Sequence, residues 1–106
     1  MGHSVHVLDP ALVSEAVVCW TGWGRRPWPK HDDHAVADMF GNSAALDLLP
    51  AVKALRDEFY ASTARDRAPT LVEMGDQASA EFRQVHPEVS EDAVQALQWC
   101  YTFDYK

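Results

Sequence analysis

Between residues 20 and 30 the chain reads Trp-Thr-Gly-Trp-Gly-Arg-Arg-Pro-Trp-Pro-Lys. Pro27 and Pro29 lack the amide a helix needs, and each pushes the preceding residue toward extended backbone. Gly22 and Gly24 stop a helix arriving from the N-terminal side. Both flanks, by contrast, repeat apolar residues at three- and four-residue intervals. Such a chain folds as helices packed around and behind one long irregular insertion. Three of the four tryptophans lie in that insertion, so it is either a plug for the core or a surface for recognition.

The helices can be placed by their caps and stripes. Residues 1–8 read as a short extended arm, with Val5, Val7 and Leu8 toward the core. Asp9-Pro10 starts the first helix. Leu12, Val13, Ala16, Val17 and Trp20 form its inner stripe, widened by Val18 and Cys19. The second helix begins near Asp32-Asp33, turns Val36, Met39 and Phe40 inward, and ends at Gly41. A long third helix is expected over residues 43–63, capped by Asn42 or Ser43. Leu46, Leu49, Val52, Leu55 and Phe59 are its inner stripe, and Pro50 predicts a kink or a break. A polar connection follows over residues 63–69. Thr70-Leu-Val-Glu73 is a capping box opening a fourth helix, with Leu71, Met74, Ala78, Phe82 and Val85 inward. Ser90, Glu91 and Asp92 open a fifth that buries Ala93, Val94, Ala96, Leu97, Cys100 and Tyr101. The tail from Trp99 either completes this helix or returns as an extended segment.

The fold class expected is therefore all-α: one domain, residues 1–106, forming a compact bundle of four to five helices. At 106 residues and 47% hydrophobic content the chain can bury a core without metal or disulfide. Cys19 and Cys100 read as buried thiols. No apolar run reaches the ~20 residues of a membrane span. The first ten residues carry no secretory pattern, so the expected location is the cytoplasm.

The net charge is −7. Residues 70–106 carry seven acids against Arg83 and Lys106, which concentrates the negative charge in the C-terminal third. Direct nucleic-acid binding is disfavoured, because phosphate neutralisation needs clustered cations. Attraction to a basic partner is favoured, with simple solubility as the alternative.

Motifs for chemistry are sparse. His31, His34 and Asp38 stand at i, i+3 and i+7 and would share one helix face as metal ligands, if the helix begins early enough. The alternative is a solvated first turn whose acids answer the helix dipole. His3 and His6 are further possible ligands, and His86 before Pro87 suits a helix end. No nucleophile elbow, phosphate-cradling loop or glycosidase-like carboxylate pair is present, and no cofactor is expected.

Two surfaces have the composition of partner contacts. Trp23 and Trp28 with Arg25 and Arg26 combine rigid aromatics with arginine, as binding hot spots do. Alternatively the indoles cover the first helix while the cations reach outward. Glu73, Asp76, Glu81, Glu88, Glu91 and Asp92 form the second candidate, an acidic face on the last two helices. An internal contact between the loop cations and those acids is a third arrangement.

The closing segment His-Pro-Glu-Val-Ser-Glu-Asp-Ala-Val-Gln-Ala-Leu-Gln-Trp-Cys-Tyr-Thr-Phe-Asp-Tyr-Lys, residues 86–106, resembles the ends of small bacterial immunity proteins of contact-dependent inhibition and polymorphic toxin systems. The resemblance covers about a fifth of the chain and assigns no site residue. It implies a cytoplasmic, non-enzymatic inhibitor that binds a cognate toxin domain; the acidity of the last two helices would steer a basic one. The alternatives are a small metal-binding protein or metalloenzyme using His31 and His34, and a helical regulatory or accessory subunit, as monomer or homodimer.

Overall fold

A computed structural model of the protein describes residues 8–105. Val5, Val7 and the possible ligands His3 and His6 lie outside the described residues. Among those described there is no strand, and the elements are α1 (Pro10–Thr21), α2 (Asp33–Phe40), α3 (Asn42–Tyr60), α4 (Ala64–Arg67), α5 (Leu71–Val85) and α6 (Glu91–Asp104). The single turn α4 falls in the stretch read as a connection, leaving five substantial helices. No helix is long and apolar enough to cross a membrane among the described residues.

The caps form as their residue types dictate. Asp9 accepts from the Ala11 amide at 2.9 Å, Asp32 from Ala35 at 3.1 Å, Thr70 from Glu73 at 3.1 Å and Ser90 from Ala93 at 3.2 Å. Each satisfies one of the amides that a helix start leaves without a partner. At the end of α1, Gly22 adopts φ 79°, and its amide donates to the Val18 carbonyl. A side chain at Gly22 would meet strained backbone and Arg26.

Helices α1 and α6 form the middle of the bundle. Helix α1 packs on α2, α3 and α6, while α5 closes the far side of α6. Val17, Trp20, Leu48, Val52, Phe59, Val94, Leu97 and Tyr101 are almost wholly buried. Phe59 stands 5.3 Å from Phe82 and 5.4 Å from Tyr101, ring centre to ring centre, which joins α3, α5 and α6. All six apolar positions expected inward on α6 are buried.

Several expectations are corrected. Of the two outcomes expected at Pro50, the break does not occur, and α3 runs on through it. Pro50 and Leu46 are both exposed, so the carbonyl that loses its donor sits on the wet side, where water can serve it. The inner face of α3 is Ala45, Leu48, Val52 and Phe59, with Leu49 and Leu55 at its edges and Leu46 77% exposed. Helix α3 takes its N-cap from Gly41, with no side-chain cap from Asn42 or Ser43. Leu71, Val85 and Met39 are exposed, because helix ends project past the partners that would cover them. Of the two courses open to the tail, the first occurs, and α6 continues to Asp104.

Candidate protein-binding site

The insertion is built onto the end of α1. The carbonyls of Trp20 and Thr21 have no helical partner of their own. The Asp32 amide donates to Trp20 at 2.9 Å and the Lys30 amide to Thr21 at 3.0 Å, so the chain returns beside its point of departure. The Arg25 and Arg26 amides both donate to the Gly22 carbonyl, which folds the tip into a turn.

Trp20 is the pin of this arrangement. It is 1% exposed, and its indole Nε1 donates to Asp33 Oδ1 at 2.9 Å. The His31 ring lies flat against it, 4.2 Å away and 4° from parallel. Arg56 approaches the same ring at 5.5 Å. Asp33 also accepts from Lys53 Nζ at 2.9 Å. The Trp20 and Lys53 hydrogen bonds hold the Asp33 carboxyl below its ordinary value. Burial, then the Arg56 charge, push the His31 imidazole down.

This packing explains why the metal set does not assemble. His31 precedes α2, whose first residue is Asp33, and its ring is committed to Trp20. His34 and Asp38 are exposed on the helix itself. Among the described residues no group of three or more His, Cys, Asp and Glu side chains is placed to hold a metal ion.

The loop residues divide. Trp23 is half-buried against the core, whereas Trp28 is 58% exposed. Arg26 pairs with Asp32 at 3.0 Å, within its own loop, so it does not reach the acidic C-terminal third. Arg25 makes no ion pair among the described residues and faces a groove of about 450 Å³. That groove lies between α1, the loop, α2 and the start of α6. Ala11, Val18 and Cys19 line it beside Met39, which is 48% exposed, and Glu15 and Asp92 supply its negative charge. Ser14 accepts from the Ser90 amide at 3.0 Å and fixes the start of α6 against α1. The groove thus contains Arg25 and Asp92, one residue from each of the two surfaces read in the sequence.

The remaining acids do not form one face. Glu81 accepts from Arg67 and Ser62, both at 2.7 Å. Glu91 takes both ends of the Arg83 guanidinium, at 3.0 and 2.6 Å. Glu88 contacts His86 at 3.0 Å, and Asp76 accepts from Gln98 at 3.2 Å. The carboxylates of Glu73 and Asp92 have no ion pair among the described residues, and of these Asp92 lines the groove.

Ala11, Ser14 and Glu15 carry no sequence signal for the groove they line, and Met39 carries a misleading one. Glu15 lies off the apolar stripe of the first helix and belongs to no motif. Met39 fitted the inward stripe of the second. The packing of α2 and the start of α6 against α1 and the loop brings them into one groove with Arg25. Cys19 lies at the groove floor, 7% exposed, and burial holds its thiol up despite the opposing charge of Arg25. A protonated thiol is a poor nucleophile, so it serves as wall. Cys100 is likewise unpaired with another cysteine, and burial pushes its thiol up to about 12.

Comparison with protein-family models, curated proteins and solved structures finds no match to this chain.

Proposed function

We propose that the protein is a non-enzymatic protein-binding module, and specifically an immunity-type inhibitor that holds a basic toxin domain through the groove between α1, the loop and α6. One observation carries the reading: Glu15, Arg25 and Asp92 line the groove, and none of them forms an ion pair among the described residues. Elsewhere the acids of α5 and α6 are mostly engaged with the fold's own cations and amides. Two carboxylates around an apolar floor favour a cationic partner side chain with an apolar stem. Exposed Met39 adds an adaptable wall, and Trp28 supplies a rigid aromatic on the same loop as Arg25. The closing-segment resemblance supports the same class of partner.

The test is co-purification with the product of the neighbouring gene, followed by rescue of growth when that product is expressed. Wild type should bind and rescue. The pair Glu15→Lys and Asp92→Lys should weaken binding by about tenfold or more, with a loss of salt dependence. Absence of both binding and rescue in the wild type would sink the proposal. Equal binding by the charge-reversed protein would remove the groove from it.

A further inference from the structure

We propose that His86 is a pH-sensitive latch that ties α3 to the turn between α5 and α6, closed when the imidazole carries two ring protons and released when it carries one. Its Nδ1 contacts Glu88 Oε2 at 3.0 Å, and its Nε2 contacts Glu58 Oε2. Glu58 belongs to α3 and Glu88 to the turn. An ionised carboxylate only accepts, so each contact requires an N–H on the ring. A neutral imidazole has one, and only the imidazolium satisfies both acids at once.

The ring is placed for this task. It packs on Phe82 at 4.9 Å, and the His86 amide donates to the Phe82 carbonyl at 2.8 Å as α5 ends. The His86 carbonyl accepts from the Val89 amide at 3.1 Å, and the next amide, Ser90, is bonded to Ser14 of α1. The latch therefore sits at the start of a short chain of bonds leading to the groove side of the bundle. Its side chain is 19% exposed, so water and protons reach it.

The two acids are the charges that face the ring. Glu58 comes from α3 and Glu88 from the turn. Glu81 of α5 shares a cavity with the ring but is held by Arg67 and Ser62. The cavity on the α1 side brings Leu8, Pro10 and Val13 toward it and, among the described residues, no further titratable group. Burial alone would lower the His86 pKa. The hydrogen bonds with Glu88 and Glu58, and their charges, outweigh it, and the net direction is upward.

His86 and Glu58 also form the common wall of two hollows. One, of about 340 Å³, is lined by Phe59, Ala78, Phe82 and Val85. The other, of about 330 Å³, is lined by Leu8, Val13, Leu55 and Val89. Losing one of the two charged contacts loosens the crosspiece between two largely apolar spaces, and the turn then opens without the core unfolding.

The experiment follows the His86 ring by NMR from about pH 5 to 9, a range that brackets an ordinary histidine, in the full chain. It reads hydrogen-exchange protection of the His86, Val89 and Ser90 amides over the same range. In the wild type, His86 should titrate above an ordinary histidine, and protection of the turn should fall by about tenfold on deprotonation, the worth of one charge-assisted bond. Amides inside α1 should show no such step. Glu58→Gln and Glu88→Gln should each lower the titration midpoint and shrink the step. Both acids are substantially exposed, so these variants remain informative if His86→Gln fails to fold. A midpoint at or below the ordinary value, or protection of the turn that does not change with pH, overturns the latch.

Discussion

At the scale of single residues, Trp20 contributes the most constraint. His31 stacks on its ring, Arg56 of α3 approaches the same ring, and its one polar atom is satisfied by Asp33. Trp20→Phe keeps an aromatic but loses the hydrogen bond and part of the His31 contact. We expect a loss of roughly 2–4 kcal/mol of stability, read as a lower urea midpoint. Tyr101 presents the opposite case. It is fully buried, and its hydroxyl is without a hydrogen-bond partner among the described residues. Burying a polar group without a partner is costly, so Tyr101→Phe should leave the urea midpoint unchanged or raise it. A fall of more than about 1 kcal/mol would mean that the hydroxyl is satisfied in solution. The helical spacing of α1 already placed Trp20 inward. It could not show His31 stacked on that ring, because the contact depends on the chain returning through the loop. His31 was legible only as a residue type, and its type suggested a ligand.

At the scale of elements, the decisive feature is how closely α5 and α6 approach. Gly75 is buried in α5, and a Cβ there would stand 2.8 Å from both Gln98 Nε2 and Thr102 Cγ2. Gln98 cannot simply withdraw, since it accepts from Ser79 at 2.6 Å and donates to Asp76. In an open helix, Gly→Ala would stabilise by about 1 kcal/mol. Here the overpacking should win, and Gly75→Ala should destabilise by roughly 1 kcal/mol in chemical denaturation. A stabilised variant would show that the two helices can separate at no cost. Gly75 is silent in the sequence, because a missing side chain leaves no periodic signal. Where the stripe was continuous and the helix central, as in α6, the reading and the structure coincide. Where a helix end projects past its partners, as at Leu71 and Val85, periodicity named residues that have nothing to cover them. The displaced face of α3 has a related origin. Leu46 and Ala45 are both apolar, and packing selected the smaller one for the close contact.

At the scale of the whole molecule, two of the three described histidines, His31 and His86, have opposite effects on folding. His31 is pushed down, first by burial and then by Arg56, so the unfolded chain binds its proton more readily than the native state does. Its contribution to stability grows as pH rises through the interval between the lowered value and the ordinary one. His86 is pushed up by its two acids against the cost of burial, so the native state binds that proton more readily. Its contribution is complete below the ordinary histidine value and is lost as pH rises through the raised one. The two intervals meet at the ordinary histidine value, so these two groups together make the wild type most stable near it, with stability falling on either side. Removing either histidine exposes the other. His86→Gln should become more stable as pH rises from about 5 toward the ordinary histidine value, whereas His31→Phe, which keeps a ring against Trp20, should become less stable as pH rises from that value to about 8. The comparison is made by urea midpoints of the three proteins at matched ionic strength. Parallel curves for the two variants would mean that neither environment discriminates between charged and neutral imidazole. The two environments differ because the irregular loop presses His31 onto an indole beside a cation, while the turn after α5 presents His86 to two carboxylates.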